Sequence, residues 1–439
     1  MRLARADELV TLSSKHQEDI IVLQGLFNAT RAKQYMRELN LDALVATTSV
    51  NVRYFSGYSC WMDSLFKEYM MRPGAPRKLA QPSYAVFPID GAPALIIKSL
   101  MAVNALDLEI SDLRLYGESG VDYSLLSSPG AGIETRFLML LRDTPRSETA
   151  IDALAACLRD RRLDDTNVGV EMEGLPSEEQ AALSRALPQA RFRDCTDLIR
   201  YVRAVKTQEE IRLLTNAAEI AEQAAMESLA MARVGGRASD LVHHFQLRLV
   251  EQGAIFDHFS FSLDGLGICQ DLGRAFRADD VIYVDFGCIF SPYFSDSGTT
   301  LAFSDLSPEM ARRYGALQSC IAAGAHAMRP GVKASAIQET MNEVLKESGI
   351  VEAFPHGHGM GLELRDYPIL VPANGLRIRD DCIDIDSDLT MEEGMVNNLE
   401  APLFLPLAGS LHIERSFVVG ADGSHELCRQ DRTHPYLAA

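Results

Sequence analysis

Two aspartates, Asp285 and Asp296, stand eleven residues apart in the segment VIYVDFGCIFSPYFSDSGTT. The β-rich runs on either side of Ser291 predict a hairpin, and a loop centred between Phe290 and Ser291 would pair the two aspartates directly. Directly opposed residues have Cβ atoms about 5 Å apart, where two like charges destabilise a sheet unless something neutralises them. The pair therefore predicts a bound cation.

Three further residues with metal-binding side chains follow this hairpin along the chain. They are His358 in HGHGMG, Glu400 in GMVNNLEAP and Glu414 in LHIERSFVV. With the two aspartates they make four carboxylates and one imidazole, a set that can hold two hard or borderline divalent ions. Carboxylates would bridge the ions and His358 would cap one of them. Each residue alone has an ordinary alternative, as a surface carboxylate beside a strand or a histidine in a glycine-rich turn.

Composition and charge limit the classes of function. The chain has 439 residues, which exceeds one ordinary core and predicts two domains. Its 47% hydrophobic and 23% charged residues are typical of a soluble globular protein. A formal net charge of -19 repels phosphate backbones and anionic lipids, so we expect neither nucleic acid nor a membrane as partner. The cysteines are scattered and form no C-x-x-C pair, and we find no apolar leader and no segment long enough to span a bilayer. These features predict a cytoplasmic protein.

The pattern of elements changes near residue 199. Residues 1–198 alternate helical and strand patterns, including a hairpin that turns at Asp90-Gly91, and predict an α/β domain. A long amphipathic helix then starts at the capping box Thr207-x-x-Glu210. In the segment 199–439 few helices fall between successive strands, which favours an antiparallel sheet with helices on one side. We therefore predict two domains, 1–198 and 199–439.

Several motifs resemble the pita-bread metallopeptidases, a family that includes methionine aminopeptidase, prolidase, aminopeptidase P and the metal-free creatinase. In the carboxy-terminal half the motifs are VDFG, DSGTT, GHGMGLE, EEGMVNNLE and HIERSFVV. The amino-terminal half resembles the creatinase and prolidase branch through NVRYFSGY and the junction IRYVRAVKTQEEIRLL. The resemblance spans nearly the whole chain. It implies an α/β amino-terminal domain and an α+β pita-bread carboxy-terminal domain with a curved antiparallel sheet.

The same resemblance implies a metal-dependent hydrolase. The metal ligands carried over by position are Asp285, Asp296, His358, Glu400 and Glu414. In metal peptidases of this family a hydroxide that bridges the ions attacks the amide carbonyl, and a glutamate at the position of Glu400 shuttles the proton. The cofactors implied are two divalent ions, chosen from Mn, Co, Zn and Fe. The implied reaction is cleavage of a C–N bond in a small, dipeptide-like substrate, as in Xaa-Pro peptidases, by a homodimer.

The chain departs from the family pattern at two substrate-site histidines. Upstream of the first aspartate the expected position falls near Ile268 and Cys269, and the His-Glu that follows the GHG turn is replaced by Arg365 and Asp366. These differences imply a non-standard substrate. The planar fork of Arg365 could clamp a carboxylate or stabilise an oxyanion, and the alternative is a salt bridge to Asp366. We include both residues among the candidate catalytic groups.

Other side chains are candidates for proton transfer or substrate contact. His412 lies two residues before Glu414, so on a strand both face the same side, and its ordinary pKa near neutrality suits proton transfer. The alternative for His412 is a hydrogen bond to a carboxylate ligand. The candidate substrate contacts are His258, Asn398, Tyr58 and Trp61, of which the last two could shape a pocket in a dimer.

Three alternative functions stay open on the sequence. One branch of the family, the dimethylsulfoniopropionate lyases, uses a related metal site for elimination. That branch tends to carry an extra aspartate close to the first ligand and Asp-Glu-Trp after the GHG turn, and this chain has neither. A creatinase-like amidinohydrolase acting on a small molecule is the second alternative. The third is a binding module, although such relatives usually lose the ligands that this chain retains.

Overall fold

The computed structural model describes residues 26–60, 81–108, 110–122, 132–262, 264–270, 273–428 and 435–438. Contacts divide the chain into two compact units. The first runs to Val202 and includes Ile378–Ile385, and the second comprises Arg203–Arg377 and the chain from Asp386 onward. The predicted boundary between residues 198 and 199 divides the chain once, whereas the structure also assigns the short segment Ile378–Ile385 to the first unit. Among the described residues, no helix combines the length and the apolar character needed to cross a bilayer.

The first unit is built on a seven-stranded sheet. Its strands are β1 Ala43–Ala46, β2 Tyr84–Pro88, β3 Ala94–Lys98, β4 Asp112–Tyr116, β5 Arg146–Ser147, β6 Asn167–Val170 and β7 Arg191–Asp194. The order is β5-β4-β3-β2-β1-β6-β7, antiparallel where β2 meets β1 and β3 and parallel elsewhere. The predicted hairpin around Asp90-Gly91 is confirmed as β2 and β3.

Helices lie between or beside these strands along the chain. They are α1 Ala29–Glu38, α2 Ser49–Ser56, α3 Ile133–Asp143, α4 Ala150–Asp160, α5 Ser177–Ala186 and α6 Thr196–Ala204, with short 3-10 turns at Ser99–Ala105 and Met172–Gly174. Leu154 and Leu158 of α4 share one buried cluster with Val45 of β1. Every residue of β1 and β2 is buried, as expected for strands covered on both faces.

The second unit centres on a ten-stranded sheet that is antiparallel apart from its last strand. Its strands are β8 Ile255–Ser262, β9 Val281–Phe290, β10 Tyr293–Phe294, β11 Ser297–Ala302, β12 Gly357–Gly359, β13 Asp366–Leu370, β16 Val396–Leu405, β17 Gly409–Gly420, β18 Gly423–Glu426 and β19 Tyr436–Leu437. A separate two-stranded ribbon is formed by β14 Arg377–Arg379 and β15 Asp384–Asp386. The main order is β10-β9-β11-β17-β16-β12-β13, with β8 on β9, β18 on β17 and β19 parallel to β11. The predicted α+β fold with a curved antiparallel sheet is confirmed.

The long helices of the second unit pack their apolar faces on this sheet. They are α7 Gln208–Leu229, α8 Ala238–Glu251, α9 Pro308–Ala327 and α10 Ala334–Glu347. The predicted capping box starts α7, because the Thr207 side chain accepts from the Glu210 N–H and the Glu210 side chain accepts from the Thr207 N–H. Ala217, Ala221 and Ala225 recur every four residues and are fully buried in a cluster that includes residues of β9. This small-residue face lets α7 lie close to the strand that carries Asp285.

The register of the hairpin from β9 to β11 differs from the prediction. Asp285 pairs with Gly298, and Tyr293 pairs with Phe290, so the turn is centred between Ser291 and Pro292. Ser291 has a φ of 53°, a left-handed conformation that allows this tight turn. The prediction that Asp285 and Asp296 oppose each other directly was therefore wrong. Asp296 sits diagonally from Asp285, a distance at which same-face carboxylates still approach each other.

Candidate metal centre and active site

Six neighbouring segments of the second unit place one row of residues across the sheet. Each strand pairing continues the row into the next strand, so that its side chains share one face. The row reads Ser260, Asp285, Gly298, Glu414, Glu400 and His356. Three of the predicted ligands thus belong to a single cross-strand row.

Gly298 stands in the middle of this row and leaves space for the side chains around it. A Cβ built on Gly298 would overlap the ring of His412 and would lie 3.1 Å from the Cβ of Glu414. The missing side chain therefore opens the space into which the His412 and Glu414 side chains reach.

The ligand atoms converge in three overlapping groups, and within each group they all lie within 4.8 Å of one another. The groups are His258, Asp285 and Asp296; Asp285, His412 and Glu414; and Asp296, His358 and Glu414. Glu400 faces Glu414 across β16 and β17. The structure brings all five sequence-predicted ligands to the wall of one cavity of about 580 Å³.

The charges in this cluster are poorly balanced by protein groups. Burial, followed by the negative charges of Asp296, Glu400 and Asp285, raises the pKa of Glu414 well above its ordinary value. Burial opposes ionisation of Asp296, but its contacts with the rings of His258 and His358 hold the pKa of Asp296 below its usual range. Protonation and the nearby histidines neutralise only part of the negative charge of these carboxylates. The cluster is therefore an oxygen-rich donor set suited to divalent cations. The residues present therefore fit the metal ions that the sequence predicts.

His358 is oriented to offer a lone pair to the cluster. Its Nδ1 lies 3.1 Å from the carbonyl oxygen of Gly359, and this bond requires the ring proton on Nδ1. The Nε2 atom then faces Asp296, whose Oδ2 is 3.4 Å away. Fixing one ring nitrogen on a carbonyl while the other faces the ligand site is the usual arrangement of a metal-binding histidine.

Asn398 lies behind the ligands. It is fully buried, its amide donates to Oε1 of Glu414 over 2.5 Å, and its Oδ1 accepts from the backbone N–H of His358 over 2.8 Å. We therefore revise the prediction that Asn398 contacts substrate. From β16, Asn398 therefore links the Glu414 side chain on β17 to the His358 backbone on β12.

His412 is also enclosed. Its Nε2 lies 3.2 Å from Oε2 of Glu414, its ring stacks on Tyr283 with centroids 4.1 Å apart, and its Nδ1 has no hydrogen-bond partner among the described residues. Burial lowers the pKa of His412, so the ring is neutral near pH 7. The side chain is fully buried and does not line the cavity, so we revise its predicted role from catalysis to contact with a ligand.

The side chains of Arg365 and Asp366 have different surroundings in the structure. Asp366 is buried, with Arg203 at 3.2 Å and Lys206 at 3.3 Å, so of the two alternatives for Arg365 the salt bridge to Asp366 does not form. Asp366 does not line the cavity, and we no longer count it as catalytic. Arg365 is exposed, lines the cavity, and forms no ion pair with any residue that the structure describes.

Several cavity residues were missed or misjudged in the sequence. Tyr283 donates to Oδ2 of Asp285 over 2.8 Å, and its position two residues before Asp285 could have revealed the shared face. His356, which was not among the candidates, lies 2.7 Å from Oε1 of Glu400. The spacing of two residues between His356 and His358 was the available signal.

The remaining predicted contacts fall in different places. His258 is at the site, with its Nε2 2.9 Å from Oδ1 of Asp285. Tyr58 belongs to the first unit, where it is buried. Trp61 lies outside the described residues. A pocket shaped by Tyr58 and Trp61 in a dimer stays a prediction.

The fold and site together define a hydrolase-like metal centre on a pita-bread sheet. Known families support this class over both halves of the chain. Residues 212–421 match the metallopeptidase family M24, and residues 29–205 match the creatinase/prolidase N-terminal domain. The chain therefore joins a creatinase/prolidase N-terminal domain to a domain of metallopeptidase family M24, and it is a metallopeptidase-like hydrolase.

Relatives and solved structures agree with this placement. The chain is 26% identical over 286 residues to an Xaa-Pro dipeptidase of Lactobacillus delbrueckii subsp. lactis, covering 63% of this chain and 74% of the relative. It is 24% identical over 250 residues to the Xaa-Pro dipeptidase of Pyrococcus furiosus, covering 55% and 68%. The prolidase structure from Pyrococcus horikoshii OT3 shares the fold, with a TM-score of 0.67 at 18% identity over 92% of this chain and 99% of that one.

Proposed function

We propose that this protein is a divalent-metal-dependent hydrolase that cleaves the amide C–N bond of a small, dipeptide-like substrate bearing a free carboxylate. The observation that carries the proposal is the convergence of the five ligand side chains in a cavity of about 580 Å³ with Arg365 on its wall. This volume lies within the range of small-molecule sites. The Xaa-Pro dipeptidase relatives support a dipeptide-like substrate.

In this proposal Asp285, Asp296, His358, Glu400 and Glu414 hold the divalent ions. Bound ions would polarise the scissile carbonyl and lower the pKa of water to near neutrality. Tyr283 and Asn398 fix the direction of the carboxylates, through hydrogen bonds to Asp285 and Glu414 respectively.

Glu400 is the group placed to accept a proton. Burial would raise its pKa, but the hydrogen bond from His356 and the positive charge of that ring act together against burial, and the pKa of Glu400 is lowered, so the carboxylate is ionised near neutral pH. His356 is held in turn by a 2.9 Å bond between its Nδ1 and the carbonyl of Phe354. An ionised, oriented carboxylate at the cavity wall can take a proton from water and return it to the leaving nitrogen.

Arg365 and the apolar walls would position the substrate. The guanidinium can bind a carboxylate through two parallel hydrogen bonds. The apolar lining residues are Ile268, Phe354, Leu364, Pro402 and Phe404. These side chains would bury the substrate's own apolar groups and exclude bulk water from the reacting bond.

The test uses the full-length protein stripped of metal and reloaded separately with Mn²⁺, Co²⁺ or Zn²⁺. Xaa-Pro dipeptides, other dipeptides, their C-terminally amidated forms and small amides are then compared by kcat/KM. We expect metal-dependent cleavage that favours free carboxylates, and loss of turnover in Asp296→Ala. The proposal is overturned if the protein binds none of these ions, or if the reloaded protein cleaves no amide.

We also propose a homodimer, which the resemblance to the creatinase and prolidase branch implies, and a cytoplasmic location, which the scattered cysteines favour. Analytical sedimentation of the purified protein measures whether it is a dimer.

A further inference from the structure

We infer that His258 is a sixth metal ligand, whose Nε2 binds the divalent cation held between Asp285 and Asp296. The inference rests on the proposed function only in requiring that the cavity holds such a cation. The sequence suggested a single imidazole in the ligand set, that of His358. The structure places a second imidazole beside the two aspartates, and this changes which ions the centre prefers.

The position of His258 Nε2 matches that of a ligand atom. It lies 2.9 Å from Oδ1 of Asp285 and 3.3 Å from Oδ1 of Asp296, so it contacts one oxygen of each aspartate. These three atoms form one of the groups in which all ligand atoms lie within 4.8 Å of one another. A cation between the aspartates would therefore meet an imidazole nitrogen as well as two carboxylate oxygens.

The other ring nitrogen is held by a carboxylate. Asp257 places Oδ2 2.8 Å from Nδ1 of His258. Metal-binding histidines commonly donate their second N–H to a carboxylate or a backbone carbonyl, which fixes the tautomer and makes the free nitrogen a better ligand. His358 shows the carbonyl version of this arrangement through Gly359. His258 and His358, which lie on separate strands, thus both have Nδ1 bound to an oxygen and Nε2 directed at Asp296.

Local backbone structure directs the His258 ring toward the cluster. Phe256 pairs with Cys288 and His258 with Gly287, so Asp257 is an extra residue in β8 and forms a β-bulge. Bulges often re-aim a side chain beside an active site. A Cβ on Gly287 would lie 2.5 Å from Cε1 of His258, so only glycine leaves room for the ring.

A second imidazole favours borderline ions. Imidazole suits Zn²⁺, Co²⁺ and Fe²⁺, whereas a purely oxygen set suits Mn²⁺ and Mg²⁺. We therefore expect the site at Asp285 and Asp296 to prefer Zn²⁺ or Co²⁺ to Mn²⁺. The competing explanation is that His258 only donates a hydrogen bond that orients Asp285.

The experiment measures metal binding without turnover. Full-length wild type, His258→Ala, His258→Gln and Asp257→Asn are stripped of metal and titrated with Zn²⁺ and Mn²⁺ against a chromogenic chelator. His243→Ala, which removes an exposed histidine on α8, is the matched control. Zinc K-edge absorption spectra of the loaded proteins count the imidazoles bound per zinc, and circular dichroism verifies folding.

For His258→Ala and His258→Gln we expect Zn²⁺ affinity at one site to fall at least 10- to 100-fold, with a smaller loss for Mn²⁺. Asp257→Asn should move in the same direction, and the absorption spectrum should lose one imidazole in both His258 variants. Wild-type affinity and an unchanged imidazole count in His258→Gln would overturn the inference while leaving the proposed function intact. A wild type that binds no divalent ion would overturn both.

Discussion

Glu400 and Glu414 lie directly opposite each other on the neighbouring strands β16 and β17. Both side chains are buried, and like charges in this position destabilise a sheet. The backbone register therefore imposes a carboxylate pair that only protons or cations can neutralise. Metal binding and the stability of the sheet should be linked through this pair.

The first prediction concerns Glu414→Gln. In metal-free protein at pH 8 the variant should melt at a higher temperature than wild type, because the neutral amide avoids the cost of either charging or protonating a buried carboxyl opposite Glu400. Added Zn²⁺ should stabilise the variant much less; an ion at 100 times its Kd is worth about 2.7 kcal/mol to the folded wild type. Calorimetric scans with and without Zn²⁺ measure both effects. Equal stabilisation of the two proteins by zinc would contradict the assignment of Glu414 as a ligand.

The second prediction concerns Arg365→Ala. Loss of a charge-assisted bond worth about 1.5–3 kcal/mol should lower kcat/KM for a carboxylate-bearing dipeptide by about 10- to 150-fold, chiefly through KM. The amidated dipeptide should respond far less, and Arg365→Lys should recover part of the loss. Arg233→Ala, at another exposed arginine of the second unit, is the control. Equal losses for the free and amidated substrates would exclude a carboxylate clamp.

The third prediction concerns Asp366→Asn. Asp366 is buried between Arg203 and Lys206, both also buried, so its removal leaves two cations without their shared partner. Breaking a buried ion pair typically costs about 3–5 kcal/mol, and the urea midpoint should fall accordingly. Glu309→Gln removes a carboxylate from an exposed helical pair and should change the midpoint little. A variant of Asp366 that unfolds like wild type would show that the network is not needed for stability.

The fourth prediction concerns the pH dependence conferred by Glu210. Burial, opposed by Lys206, raises the pKa of Glu210 from 4.5 to about 7 in the folded protein. A raised carboxyl pKa means that the folded state binds the proton more tightly, so stability from this group is present below pH 4.5 and is lost as the pH rises through 7. The loss at alkaline pH amounts to about 3 kcal/mol.

Glu210→Gln removes that charge; its amide oxygen can accept from the N–H of Thr207, and its amide nitrogen can donate to the hydroxyl oxygen of Tyr293, which in wild type donates to the other carboxylate oxygen. Its stability should therefore match wild type near pH 5 and exceed it at pH 8, when both are measured by urea denaturation. A difference between the two proteins that does not change with pH would contradict the raised pKa.

Much of the fold was predictable because its signals are local. The capping box at Thr207 and Glu210 starts α7 in the structure as in the sequence. The turn residues at Asp90-Gly91 join β2 and β3 as predicted. Such signals involve residues that are close along the chain, so residue type alone specifies them.

The candidate site was predictable in its members but not in all of its geometry. The five ligands could be selected by residue type and order, and the structure lines one cavity with all of them. The direct pairing of Asp285 with Asp296 was wrong because Ser291 takes a left-handed conformation and shifts the hairpin register. No pattern of hydrophobic and polar residues reports such a turn conformation.

What the sequence alone determined is therefore the class of protein, the type of its two domains and the candidate carboxylate ligands. Only the tertiary structure decided that Asp366 bonds Lys206, 160 residues away, and that a bulge at Asp257 turns His258 toward the aspartates. The physical reason is that periodicity and capping depend on neighbours along the chain. Register, bulges and buried ion pairs depend on which distant strands and helices pack together.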